Sequence, residues 1–262
     1  MRLNNKVIVI TGSTTGIGKA IALKCIEEGA KVVLNGLEKD LGDEVLKAIG
    51  DNAVLHIEDI TQEGAAERLT GLALAGFGKL DAVVNNAAWV TSSNIDTTDV
   101  NFLRKVFEIN TVAPFNLIKT ALPHLAKNKG AVLNIGSVNA YCGEPNLLAY
   151  SMSKGALMTM TRNLGDVLFR EHGVRVNQLN PGWVLTETET IRKKEHGLAE
   201  DWYAALPKVY APSGRILWPK EIAAAAMYFL DDESGPISGQ ILDVEQHPFI
   251  GRNPPKDSST IQ

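Results

Sequence analysis

Lys6-Val7-Ile8-Val9-Ile10-Thr11-Gly12-Ser13-Thr14-Thr15-Gly16-Ile17-Gly18 is the stretch on which the reading of the whole chain turns. Its apolar run predicts a strand over 7–11. No polar residue alternates with the apolar ones, so both faces of that strand belong inside. A glycine-rich turn follows, then a helix over 17–28 that buries Ile17, Ile21, Cys25 and Ile26. Glycines let the backbone turn tightly and approach a ligand closely. The helix behind them offers unpaired N–H groups and a positive dipole end, which suit a pyrophosphate. The signal is weak for an isolated turn. It is strong at the first strand–helix junction of an alternating chain.

The rest of the sequence does alternate. Strand-like runs rich in Val, Ile and Leu recur at 31–35, 54–58, 82–85, 132–135, 174–177 and 240–244. Helical stretches are predicted at 41–49, 63–75, 99–126, 147–171 and 220–230. This rhythm predicts an α/β fold, a doubly wound parallel sheet of about seven strands with helices on both faces. One catalytic domain is expected over 1–246, with 186–213 as a lid of mixed charge. The tail 247–262 is expected to be irregular.

The chain has 262 residues, 45% of them apolar and 21% charged, and a formal net charge of −4. That balance predicts one sizeable core and argues against nucleic acid or an anionic membrane as the main partner. No run approaches the roughly 18 apolar residues of a membrane span, and no signal-peptide pattern opens the chain. The two cysteines, Cys25 and Cys142, are too few for a disulfide framework. A cytoplasmic setting is expected. The five histidines lie far apart without metal-ligand spacing, so no metal site is expected. G-x-S-x-G, the turn of a serine hydrolase, is missing.

Tyr150 and Lys154 stand four apart on a predicted helix and so share a face. An ammonium beside a phenol should lower its pKa from about 10, making a general acid and base for a hydroxyl or carbonyl. Ser137 follows the strand over 132–135, at the end where open α/β sheets place their sites. Its hydroxyl could steady a developing oxyanion. Pro114, without an N–H, leaves the carbonyl of Asn110 without a helical partner, so the helix should kink there.

These motifs occur in the order Thr11-Gly12-x-x-x-Gly16-x-Gly18, Asn85-Asn86-Ala87-Ala88, Ser137, Tyr150-x-x-x-Lys154. The set resembles the short-chain dehydrogenase/reductase family over roughly 5–245. The resemblance implies a nicotinamide-dependent oxidoreductase. Ser137 and Tyr150 would grip the substrate oxygen and Lys154 would also hold the nicotinamide ribose. Asn110 would complete a tetrad whose water relays protons to solvent. It further implies cofactor contacts at Gly12, Thr14, Thr15, Gly16, Ile17, Gly18, Asn35, Leu37, Asp59, Ile60, Asn86, Ala88, Tyr150, Lys154, Gly182, Val184 and Thr186. Asp59 reads equally well as a helix N-cap, as does Thr61. The family commonly forms tetramers through its long helices, so a homotetramer, or a dimer, is expected here through 147–171.

Cofactor choice is argued from charge. Gly36 and Leu37 stand where the family places its acid or its arginine, so both markers are missing. No cation occupies Thr14-Thr15, and Glu38 would repel a 2′-phosphate. NAD is therefore favoured over NADP. Trp89, Ser137, Asn139, Glu144, Asn146, Tyr150, Trp183 and Trp202 are expected around the substrate. Their amides, carboxylate and aromatic faces suit a sugar, polyol or hydroxy acid. Trp202 and Tyr203 serve equally well as packing for the lid. The runner-up is an NADP-dependent 3-oxoacyl-thioester reductase docking an acidic carrier at Arg192-Lys193-Lys194. A non-catalytic dinucleotide-binding regulator ranks lower, because the tetrad is intact.

Overall fold

The computed structural model describes residues 1–247 apart from 196, 205 and 210. Val7–Ile10 forms β1 and Gly16–Glu27 forms α1. The first half continues with β2 (Lys31–Gly36), α2 (Lys39–Ile49), β3 (Ala53–Ile57), α3 (Ala65–Phe77) and β4 (Ala82–Asn85). The second half runs α4 (Val100–Phe107), α5 (Ala113–Asn128), β5 (Ala131–Ile135), the short α6 (Asn139–Cys142) and α7 (Leu148–His172). It ends with β6 (Arg175–Pro181), α8 (Glu187–Glu195), α9 (Pro219–Leu230) and β7 (Ile241–Val244).

The strands form one seven-stranded sheet in the order β3-β2-β1-β4-β5-β6-β7. Every neighbouring pair is parallel. The strand order reverses at β1, and the carboxyl ends of β1 and β4 therefore border a crevice. Both sheet faces are covered, which explains the apolar runs. Ile8 and Ile10 pack with Ile21, Cys25 and Met227 on the α1–α9 side. Val7 and Val9 pack with Leu69, Leu117 and Leu168 on the α3–α5–α7 side. Alternate residues of one strand thus enter two different cores.

Four sequence expectations need correction. The strand expected over 174–177 extends to Pro181. Its second half, Gln178-Leu179-Asn180-Pro181, is polar yet buried, because its amides are paired. Gln178 accepts from Thr161 and donates to Asn180, and Asn180 also donates to Asp243. The helix expected over 99–126 is interrupted by a π-helical turn at Glu108–Val112. Pro114 lies at the start of α5, where its missing N–H costs least. Neither Asp59 nor Thr61 caps α3, which begins at Ala65 behind Gly64. Instead the Asp59 carboxylate accepts from the Thr61 backbone N–H and hydroxyl. Finally, among its described residues the lid contains a helix, α8, and a 3-10 turn at Trp202–Ala204. The expected irregular tail falls, apart from His247, outside the described residues.

Candidate active site

A cleft of about 1300 Å³ opens at the carboxyl edge of the sheet. One end is built by the glycine turn. Gly12, Thr14, Thr15, Gly16 and Ile17 line it, with Asn35 and Leu37 from the end of β2, Asp59 and Ile60 after β3, and Asn86 and Ala88 after β4. Asn86 ties the turn down by donating to the carbonyls of Thr11 and Gly12. Gly18 does not line the cleft. A Cβ there would lie 2.2 Å from the Gly12 carbonyl oxygen, so this glycine lets α1 sit against the turn.

The missing acid at the end of β2 has a steric cause. A Cβ on Gly36 would lie 2.3 Å from the Thr14 hydroxyl. Thr14 Oγ1 fills that space and donates to Glu38 Oε2 at 2.7 Å. A carboxylate therefore does stand at the adenosine end, two residues later than the family pattern. Glu38, Glu58 and Asp59 line this end; Glu58 is paired with Arg68, and among the described residues no lysine or arginine lines the cleft beside Glu38.

The residues present fit a dinucleotide. Thr15 caps α1 without a side-chain hydrogen bond, and α1 carries no acidic residue in its first turn. The Gly16 N–H donates instead to the carboxylate of Glu187, at 3.0 Å from the lid. An anionic group already sits on this helix end, as the dipole and open N–H groups favour. Gly182, Val184 and Thr186 line the cleft beside it.

The other end holds the candidate reacting groups. Ser137, Tyr150 and Lys154 all line the cleft, together with Trp89, Asn139, Glu144 and Trp183. Ser137 follows β5, and its backbone N–H donates to Asn180 Oδ1. Its hydroxyl accepts from the Asn139 N–H at 3.1 Å. Lys154 Nζ donates to the Ile135 carbonyl at 2.7 Å and sits 5.7 Å from the centre of the Tyr150 ring.

The expected acidification of the phenol by Lys154 is not what this geometry gives. Burial pushes Tyr150 up to about 12, and a hydrogen bond with Ser137 and the charge of Arg192 pull the other way. Burial also brings Lys154 down to about 7, so its charge is disfavoured beside the phenol. Sequence spacing fixed the shared helix face but carried no information about desolvation.

Asn110 is fully buried in the π-helical turn. It does not line the cleft. Its side chain accepts from the Trp89 N–H at 2.7 Å and donates to the Trp89 carbonyl and the Ser153 hydroxyl. Its side chain thus supports the loop that carries Trp89. Asn146 is exposed and away from the cleft, its carbonyl accepting from the Ser93 N–H. Trp202 stands behind Trp183, stacked at 5.2 Å, and does not itself line the cleft. Its lid-packing reading is the one this placement favours.

Sequence reasoning missed the lid's charged pairs. Glu189 is buried and accepts from Trp183 Nε1 at 2.8 Å and from Arg192. Arg192 and Lys193 line the cleft with it. The signal was present as acid–base spacing of three and four residues on what is now α8.

A parallel sheet with a glycine-cradled helix end and a serine–tyrosine–lysine set in one cleft defines a nicotinamide-dependent oxidoreductase of the Rossmann type. The comparisons agree. The family model described as enoyl-(acyl carrier protein) reductase, a short-chain dehydrogenase/reductase model, matches residues 12–246. The chain is 33% identical over 240 residues to an NADP-dependent (R)-specific alcohol dehydrogenase of Lentilactobacillus kefiri, covering 89% of this chain and 92% of that one. It is 34% identical over 252 residues to glucose 1-dehydrogenase 2 of Bacillus subtilis, covering 93% and 94%. It is 35% identical over 235 residues to the L-fucose dehydrogenase of Mus musculus, covering 88% and 84%. The chain belongs to the short-chain dehydrogenase/reductase family and is an NAD(P)-dependent oxidoreductase. Among the described residues no helix is long and apolar enough to cross a membrane.

Proposed function

We propose that this chain is an NAD-dependent dehydrogenase of a small polar secondary alcohol, a sugar, polyol or hydroxy acid, with Tyr150 as general acid and base. The observation that carries the reading is the meeting of Ser137, Tyr150 and Lys154 in the cleft that the glycine turn also lines. A bound oxidised nicotinamide would supply the hydride acceptor for the carbinol C–H. The O–H proton goes to Tyr150 Oη, and a ketone or lactone remains. Ser137 holds the reacting oxygen. Lys154, whose charge burial disfavours, is placed to pass the proton onward.

NAD is favoured by Glu38, whose carboxylate, held by Thr14, lines the cleft just beyond β2 and would repel a 2′-phosphate. The Lentilactobacillus relative is named NADP-dependent, so names of relatives do not argue for this choice. The polar substrate is supported by Trp89, Asn139 and Glu144 on the cleft wall, and by relatives named for glucose and fucose. The thioester reading is disfavoured because Arg192 and Lys193 turn into the cleft, leaving only Lys194 exposed from its docking patch. A homotetramer is supported by Val112, Phe115 and Met152, exposed on the second and third of the long helical segments. The deciding experiment is a screen of sugars, polyols and hydroxy acids with each cofactor. Oxidation of a polar alcohol with NAD at least tenfold better than with NADP is expected. Turnover confined to acyl thioesters or aliphatic ketones contradicts the reading.

A further inference from the structure

The charges of the reacting end do not balance. Glu189, 9% exposed at its side chain, is the carboxylate shared by Arg192 and Lys193, each 20% exposed. Arg192 gives its Nε and Nη2 to Glu189 Oε2 at 3.0 and 2.7 Å. Its Nη1 has no hydrogen-bond partner among the described residues. Lys193 Nζ lies 3.9 Å from Glu189 Oε1, beyond hydrogen-bond reach. It rests instead over the rings of Trp183 and Trp202, at 5.1 and 5.8 Å from their centres. Two largely desolvated cations thus share one anion, and both keep donors open in the cleft of Ser137 and Tyr150. Desolvated cations are costly without a matching charge.

The remaining carboxylates of this end are engaged or distant from the surplus. Glu245 accepts from the backbone N–H groups of Trp183 and Gln246. Glu187 is held by Gly16. Glu144 is exposed to solvent. On the far wall Lys105 sits over Trp89 at 4.9 Å and adds positive, not negative, charge.

We infer that Arg192 and Lys193 form an anion subsite of the catalytic cleft, and that the substrate is a hydroxy acid or sugar acid: a secondary alcohol bearing a carboxylate. A carboxylate would answer the two cations that share Glu189, meeting the open guanidinium edge and the ammonium beside it. Glu189 fixes the guanidinium plane, so its open edge meets the carboxylate in a set orientation. The carboxylate takes no part in the redox step, which turns the hydroxy acid into an oxo acid by the hydride and proton transfers given above. Arg192 also acts on the phenol, since its charge lowers the pKa of Tyr150. The substrate anion would offset that pull while positioning the carbinol.

The inference rests on the hydride-transfer reading, and its test separates the two. D-Gluconate, L-lactate and 3-hydroxybutyrate are compared with D-glucose, sorbitol and 2,3-butanediol, at saturating NAD, on wild type, Arg192→Met and Arg192→Lys. At least one acid is expected to exceed the best neutral alcohol tenfold or more in kcat/KM. Arg192→Met should cut that ratio at least tenfold, chiefly through the KM of the acid, and Arg192→Lys should restore most of it. Saturable quenching of tryptophan fluorescence by the preferred acid in the NADH complex should be lost in Lys193→Met, a second route if the arginine variants do not fold. Neutral alcohols turned over as well as acids, or a ratio that neither cation variant moves, overturns the inference and leaves the dehydrogenase reading standing. No turnover of any compound, with cofactor bound, overturns both.

Discussion

Lys154 carries the largest electrostatic consequence of burial at the site. Its pKa is brought down to about 7 in the folded chain, against an ordinary value of about 10.5 when unfolded. Between those values the unfolded chain binds more protons, so this residue makes stability rise with pH from about 7 toward 10. The opposing effect of Tyr150, raised to about 12, begins only above pH 10. Urea denaturation of wild type and Lys154→Met across pH 6.5–9.5 should therefore diverge, the variant gaining most at the acid end. The expected gap there is of the order of a few kcal/mol. A gap independent of pH contradicts the buried, charge-averse lysine.

Glu187 is the second residue with a local prediction. Its carboxylate takes the Gly16 N–H at the helix end suited to a pyrophosphate. Cofactor must displace it there, and the two negative groups would repel. Glu187→Gln is expected to tighten dinucleotide binding about threefold to tenfold in a fluorescence titration, about 0.7 to 1.4 kcal/mol. Weaker binding would mean that the carboxylate supports the cofactor instead.

Single residues also mark the limit of what the sequence discloses. The glycine turn and the Tyr150–Lys154 spacing were legible because backbone reach and helix periodicity set them locally. The phenol's raised pKa was not, since desolvation depends on what the rest of the chain lays over it. Glu38, two positions beyond the usual acid, became intelligible only once Thr14 was seen filling the space above Gly36.

At the scale of elements, apolar strands were legible and polar ones were not. β1 and β4 read directly because each is nearly all valine, isoleucine or alanine. Half of β6 was hidden by Gln178 and Asn180, which are buried at no solvent exposure with their amides paired. Pro114 announced an irregularity near Asn110 but not its form, a π-helical turn. That turn points the Asn110 side chain at both backbone groups of Trp89. Asn110→Ala should leave these groups and Ser153 short of partners, costing about 1–3 kcal/mol in chemical denaturation. A larger loss in kcat than in stability would add a direct part in proton relay to this supporting one.

The whole molecule is a sheet whose two covered faces leave only its carboxyl edge for chemistry. The lid closes part of that edge with charged pairs three and four residues apart on α8, a spacing the sequence carries but whose direction into the cleft it does not. Ligand binding to this edge should stabilise the entire chain. At one hundred times its Kd, a dinucleotide adds about 2.7 kcal/mol. For a chain of this size that is a rise in Tm of very roughly 5–10 °C. With NAD and NADP at equal concentration in a thermal melt, NAD is expected to give the larger rise, because the Glu38 carboxylate beyond β2 would repel the added phosphate. An equal or larger rise with NADP contradicts the cofactor assignment.

The phenol of Tyr150 is the group on which the account stands. Tyr150→Phe, measured in parallel for dinucleotide affinity and for steady-state oxidation of the best substrate, tests it most directly. Affinity should stay within a few fold, while kcat falls about a hundredfold to ten-thousandfold. Full activity in that variant, with cofactor bound as before, would contradict proton transfer by this residue.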